Sequence, residues 1–151
     1  MENKIQSKMK ISKTIAVDFD GTIVEHKYPA IGKEMLFAFA TLKQLQSKGH
    51  KLVLWTYRTG TELEEAVVYC KENGVEFYAV NESYPGENRE EGYSRKIAAD
   101  LFIDDRNVGG FLGWDVVWQT LHPEGEAYAH QLKNKLAHLN YPKKKKKWGL
   151  F

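Results

Sequence analysis

Two aspartates, Asp18 and Asp20, stand two positions apart at the end of the apolar run TIAVDFD (14–20), and Gly21 and Thr22 follow at once. Residues i and i+2 of a strand face the same way, so both carboxylates would project to one side while Phe19 packs opposite. Their Cα atoms would lie roughly 6–7 Å apart at ~3.3 Å of rise per residue, room enough for an ion or a phosphoryl group. A second acidic pair, Asp104 and Asp105, ends another apolar run that begins at Leu101. Three or four carboxylates gathered in one place raise each other's pKa values and oppose folding unless a cation sits among them. An oxygen-only donor set, with no cysteine or histidine nearby in sequence, suits a hard ion, and Mg²⁺ fits best.

Such groups need elements to hold them. TIAVDFD reads as a buried strand, and Met35, Phe39 and Leu42 then recur at helical spacing within 33–48, where Gly49 closes the helix. KLVLWT (51–56) is a second buried strand and ends in Thr56. Thr61 with Glu64 three residues later forms a capping box for a helix that buries Leu63, Ala66, Val67 and Cys70 and stops at Asn73-Gly74. EFYAV (76–80) is a third strand, 81–94 a polar loop, and Ser94 caps a short helix through Ala99 that carries Lys96. LFID (101–104) and DVVWQ (115–119) read as fourth and fifth strands, and a last helix covers roughly 123–139. Strands and helices in alternation, with near-continuous Val/Ile/Leu/Phe strands, predict one α/β domain with a mostly parallel sheet covered on both faces. The expected organisation is a polar extension over 1–13, the folded domain over 14–141 and a lysine-rich tail over 142–151.

Composition limits the choices. A chain of 151 residues with 42% hydrophobic and 13% aromatic content can bury a core without staples. One cysteine excludes an internal disulfide, the first residues carry no apolar leader, and no apolar run approaches the ~20 residues of a membrane span, so a cytoplasmic protein without a membrane partner is expected. The net charge of +2 comes wholly from Lys143 to Lys147. The rest of the chain is net acidic and has no nucleic-acid footprint; the tail reads as a solvated or extraneous segment.

In α/β sheets of this kind ligands gather beyond the carboxyl ends of the strands. DFDGTIV, a strand ending in Thr56, a lone Lys96 and the FIDD aspartates, in that order, resemble the four motifs of the haloacid dehalogenase (HAD) superfamily of phosphohydrolases over residues 14 to 118. The resemblance implies a Rossmann-like three-layer sandwich with five strands in the order 3-2-1-4-5. It implies a Mg²⁺-dependent phosphatase, with Asp18 as the nucleophile forming an aspartyl-phosphate and Asp20 as general acid and then base. Thr56 would bond the phosphoryl group and Lys96 would offset its charge. The metal would be held by Asp18, the Asp20 backbone carbonyl and one carboxylate of the Asp104/Asp105 pair. Backbone amides around Gly21 and Thr22 would face the phosphate, and Arg58, like Arg106, is placed to touch substrate.

Only 35 residues separate Asp20 from Thr56, and 15 separate Val80 from Lys96, so neither interval holds a cap domain. An open site suits large substrates such as a phosphoprotein or a nucleic-acid end, or a neighbouring subunit in a homo-oligomer closes it; the partner expected is a phosphorylated small molecule or macromolecular end. The segments 25–32 and 81–94 are the local lids. Cys70 on its helix stripe reads as packing, and His122, His130 and His138 drift around a helix by roughly 80° per step and read as surface. Two other functions compete. One is a phosphate-responsive domain like the receivers, although the third strand ends in AVNES without their aspartate. The other is a nucleic-acid-end-binding or processing domain, which would depend on the lysine tail.

Overall fold

Apolar, β-branched runs make the strands, and their burial on consecutive positions makes them central. The computed structural model describes residues 11–90 and 92–123. β1 (Thr14–Val17) is buried from Ile15 to Val17, and β2 (Lys51–Leu54) from Leu52 to Leu54. Neither alternates, as strands covered on both faces should not. β3 is short (Ala79–Val80), as is β4 (Leu101–Ile103). The four strands pair in parallel in the order β3-β2-β1-β4. Helix α1 (Ala38–Ser47) lies between β1 and β2, and α2 (Gly60–Glu72) between β2 and β3. The chain divides into two units, 1–116 and 117–151; every described strand lies in the first, and α3 (Trp114–Leu121) begins there and runs into the second.

The expected α/β class with a parallel sheet is therefore present, with four strands among the described residues. The expected fifth strand is not. DVVWQ (115–119) lies inside α3. A short apolar run cannot by itself distinguish strand from helix, but here Trp114, Val117, Trp118 and Leu121 follow the i, i+3, i+4, i+7 spacing of a helix face. Trp114 and Val117 are buried, and Asp115 in the first turn suits the helix dipole.

The short helix expected from Ser94 to Ala99 is also absent. A helix starting there would send the Ala98 N–H back to the Ser94 carbonyl; that N–H instead donates to Ser83 Oγ at 3.0 Å. Ser94 Oγ donates to the Lys96 carbonyl, a local bond that competes with helix. The N-cap of α2 lies two residues before the expected Thr61: it is Thr59, extended and without a side-chain cap bond. α1 starts later than 33 because Glu34 bridges Val24 and sends its Oε1 to accept the Phe39 N–H at 3.0 Å, serving one orphan donor of the helix start. Of the third strand only Ala79 and Val80 are laddered by strand pairing. The last helix, most of the polar extension and the lysine tail fall outside the described residues.

One buried bond crosses 92 positions: the Trp114 indole N–H donates to the Thr22 carbonyl at 2.8 Å, fastening the start of α3 to the turn after β1. Trp114→Phe keeps a ring there but leaves that carbonyl without its donor. It should cost about 1–3 kcal/mol, read as a lower urea midpoint with an unchanged slope.

Candidate active site

The register of the sheet assembles the site. Val17 is level with Leu54 on one side and with Ile103 on the other, so the three strands reach their carboxyl ends together. The ladder continues one bond further, with Asp18 N–H donating to the Ile103 carbonyl at 2.9 Å, Trp55 N–H to Val17 at 2.8 Å and Asn81 N–H to Leu54 at 2.7 Å. Asp18 and Asp104 therefore leave adjacent strands at one edge, and Asp105 follows.

Carboxylate oxygens of Asp18, Asp104 and Asp105 lie within 4.8 Å of one another. Burial, the negative charge of Asp104 and a hydrogen bond shared with Asp105 push the Asp18 carboxyl up from 3.8 to about 7, against the opposing pull of the Phe19 amide and the Thr22 hydroxyl. Asp105 Oδ1 is buried with no hydrogen-bond partner. A buried carboxylate oxygen with nothing to accept from, beside two further carboxylates, fits a hard divalent cation held by oxygen alone.

The turn after β1 is what brings Asp105 so close. Gly21 has φ +84, and a Cβ there would collide with the Asp105 carboxylate, so no other residue suits the position. Three amides, those of Thr22, Ile23 and Val24, converge on the Phe19 carbonyl, and the Gly21 N–H donates to Val24. The amides of Gly21 and Thr22, expected to face a phosphate, are thus spent inside the turn. Thr22 is fully buried, and its hydroxyl donates to Asp18 Oδ2 at 3.1 Å, so its place is beneath the Asp18 carboxylate rather than against a substrate.

Asp20 turns toward β2. Arg58, 1% exposed, grips it through two bonds of 2.7 Å, Nε to Oδ2 and Nη2 to Oδ1. The guanidinium also donates to the carbonyls of Pro29 at 3.0 Å, Ala30 at 2.8 Å and Glu62 at 3.4 Å. It lies 5.0 Å from the Phe19 ring centre and 5.2 Å from that of Tyr28. Arg58 therefore meets Asp20 and the 25–32 segment, in place of the direct substrate contact its sequence position implied. That segment is closed on itself: Glu25 N–H donates to Lys33 at 2.7 Å, and the Glu25 carbonyl backs onto Gly32 where a Cβ would stand.

Thr56 is held by its neighbours. Its N–H donates to Asn81 Oδ1 at 2.8 Å and its hydroxyl accepts the Arg58 N–H at 3.2 Å, which leaves the hydroxyl hydrogen to donate. A cleft of about 670 Å³ opens over these groups and is lined by Asp18, Asp20, Thr56, Arg58, Asp104 and Asp105, with His26, Tyr28, Trp55, Tyr57 and Arg106 around them. Lys96 does not line it. Its ammonium lies over the Phe102 ring at 5.7 Å, since the helix that was to present it is not formed. Of the expected lids, 25–32 contributes His26 and Tyr28, and 81–94 contributes nothing. Cys70 is buried, and burial pushes its thiol up to about 12, consistent with packing.

Sequence reasoning passed over Tyr28, Trp55, Tyr57 and Asn81. Tyr57 stands in the loop just past a strand's carboxyl end, where ligand-facing residues concentrate, and that position was the available signal. Asn81 adopts φ 52, a left-handed conformation that asparagine tolerates better than most residues, at the end of β3.

Fold and site together define an α/β protein whose parallel sheet carries an acidic cluster at its carboxyl edge. A solved structure described as the conserved protein coded by a locus from Bacteroides thetaiotaomicron is 53% identical to this chain, covers 76% of it and 93% of its own length, and superposes with a TM-score of 0.71. The chain belongs to the family of that conserved protein. No protein-family model matches the chain, and no curated protein does. Among the described residues no helix is long and apolar enough to cross a membrane.

Two outcomes follow from the geometry. Arg58→Ala would strand the Asp20 carboxylate, 12% exposed, without its partner, and should cost about 3–5 kcal/mol in denaturant unfolding. Arg58→Lys should recover little, because an ammonium cannot reproduce the two-pronged contact. The second concerns pH. In metal-free buffer the folded state binds the Asp18 proton more tightly than the unfolded chain does, so this contribution to stability falls as pH rises from about 4 to about 7. Melting temperatures of the wild type relative to Asp18→Asn should decline across that window, and millimolar Mg²⁺ should flatten the decline.

Proposed function

We propose that the protein is a Mg²⁺-dependent phosphomonoester hydrolase that works through an aspartyl-phosphate on Asp18. The observation that carries this reading is the meeting of Asp18, Asp104 and the unpartnered Asp105 Oδ1 at the carboxyl edge of a parallel sheet. The resemblance to HAD phosphohydrolases carried by DFDGTIV (18–24), Thr56 and Asp104-Asp105 supports the same chemistry, although Lys96, the remaining motif residue, does not line the cleft. Asp18, Asp104 and Asp105 would hold the cation, which when bound would offset the negative charge of the phosphoryl oxygens.

The chain's own groups supply the rest. An Asp18 carboxylate oxygen attacks phosphorus, the bond to the leaving oxygen breaks, and Asp20 gives that oxygen a proton. Asp20 then takes a proton from water as the water attacks phosphorus, which frees orthophosphate and restores Asp18. Each Asp20 oxygen accepts one N–H from Arg58 and keeps one further lone pair, and that pair is where the proton is exchanged. Arg58 thus sets the direction of the acid–base group. The Thr22 hydroxyl orients the nucleophile from below, and the Thr56 hydroxyl hydrogen is available to a phosphoryl oxygen. Arg106, exposed at the cleft wall with its N–H on Asp104 Oδ1, is the cation nearest in the chain to the acidic pair, whereas Lys96 rests outside on Phe102.

With Mg²⁺ present, the wild type should release phosphate from a panel of phosphomonoesters and should lose that activity with EDTA. Asp18→Asn should reduce turnover by at least about 10³-fold, as expected when a covalent nucleophile is removed. Absence of turnover across a broad panel overturns the reading. Stable phosphorylation by a small phosphodonor without turnover would favour the phosphate-responsive alternative instead.

A further inference from the structure

The cleft is far larger than a phosphoryl group needs, and Tyr28, Trp55 and Tyr57 are among the residues that line it. At about 670 Å³ it falls within the roughly 300–1,000 Å³ of sites that enclose a whole organic ligand. Tyr57 is 97% exposed although it stands between two residues that are firmly held. Thr56 is fixed through Asn81 and Arg58 through Asp20, so the backbone that carries Tyr57 is held on both sides and its ring borders the cleft in solvent. Trp55 is anchored differently: its N–H donates to Val17, its ring packs on the buried cluster of Ala16, Val53, Ala79 and Ile97, and it also lines the cleft. Tyr28, half-exposed, is oriented by the Arg58 guanidinium across the site.

Trp55 and Tyr28 are in contact with their neighbours before any ligand arrives, and a solvated tyrosine ring, with only two χ angles to fix, loses little entropy when a second ring covers it. We infer that the cleft takes a phosphomonoester whose leaving group carries a planar aromatic or heteroaromatic ring, stacked on Tyr57 and bordered by Trp55, with the phosphoryl group directed to Asp18. This rests on the phosphatase reading above and adds the substrate class to it. A polyol or alkyl leaving group would occupy the carboxylate end and leave Tyr57 in water.

The test compares two esters of primary alcohols, adenosine 5′-monophosphate and glycerol 3-phosphate, with the full-length protein and Mg²⁺. The ring-bearing ester should show a kcat/KM advantage of roughly tenfold or more, the size of one base–aromatic stack. Tyr57→Ala should collapse that ratio and Tyr57→Phe should keep it, with the melting temperature of both variants unchanged because the side chain is solvated. Equal kcat/KM values in the wild type, or an advantage that survives Tyr57→Ala intact, would overturn the ring assignment and leave the phosphatase reading standing. Hydrolysis of neither ester would count against the phosphatase reading alone. Calorimetric titration of the two phosphates into the Asp18→Asn protein then decides the ring: tighter binding of the nucleotide that Tyr57→Ala removes supports it, and equal binding overturns it.

Discussion

A buried guanidinium is costly unless nearly all its donors are met, and Arg58 meets that condition by drawing together segments far apart in sequence. Asp20 from the turn after β1, the carbonyls of Pro29 and Ala30 from the flanking segment, and the first turn of α2 all converge on it. The Phe19 and Tyr28 rings lie against it as well. Removing water from one cation is offset here by a fork-to-fork contact and three carbonyls. The consequence for the site is that Asp20 and Asp18, two positions apart just past β1, face different surroundings. One is neutralised by an arginine, and the other is crowded by two further carboxylates.

The proposed chemistry asks different things of the two aspartates: a cation among Asp18, Asp104 and Asp105 would favour the charged form of Asp18 that attacks, while Asp20 must exchange its proton beside Arg58. The backbone divides them through the turn at Gly21, which lets Asp105 approach Asp18, and through Thr22, whose hydroxyl and carbonyl are tied to Asp18 and Trp114. The acidic cluster is an unstable arrangement without a cation, so the same residues that would bind metal also oppose folding in its absence. The family relationship to the Bacteroides thetaiotaomicron protein extends over most of both chains.

Much of the fold was legible because parallel strands buried on both faces leave long apolar runs, and because Asp18, Thr56 and Asp104 each mark where a run ends. What was misread lies in short segments. DVVWQ and the stretch 94–99 are ambiguous when read alone: the first resolves as a helix only with Trp114 and Leu121 on either side and the Thr22 carbonyl fastening its start, and the second is set by Ser83 Oγ on the Ala98 amide. Periodicity carries no information about such partners.

Residue types and their order along the chain determined that carboxylates, a hydroxyl and a sharp turn would sit at the ends of parallel strands. Only the tertiary structure decided which carboxylates meet. Asp104 and Asp105 join Asp18 because Ile103 is in register with Val17, while Asp20 is drawn off to Arg58. It also decided that Lys96 rests on Phe102, and that Trp55, Tyr57 and Tyr28 edge one cleft. Register and side-chain packing are relations between segments dozens of residues apart, and no local pattern encodes them.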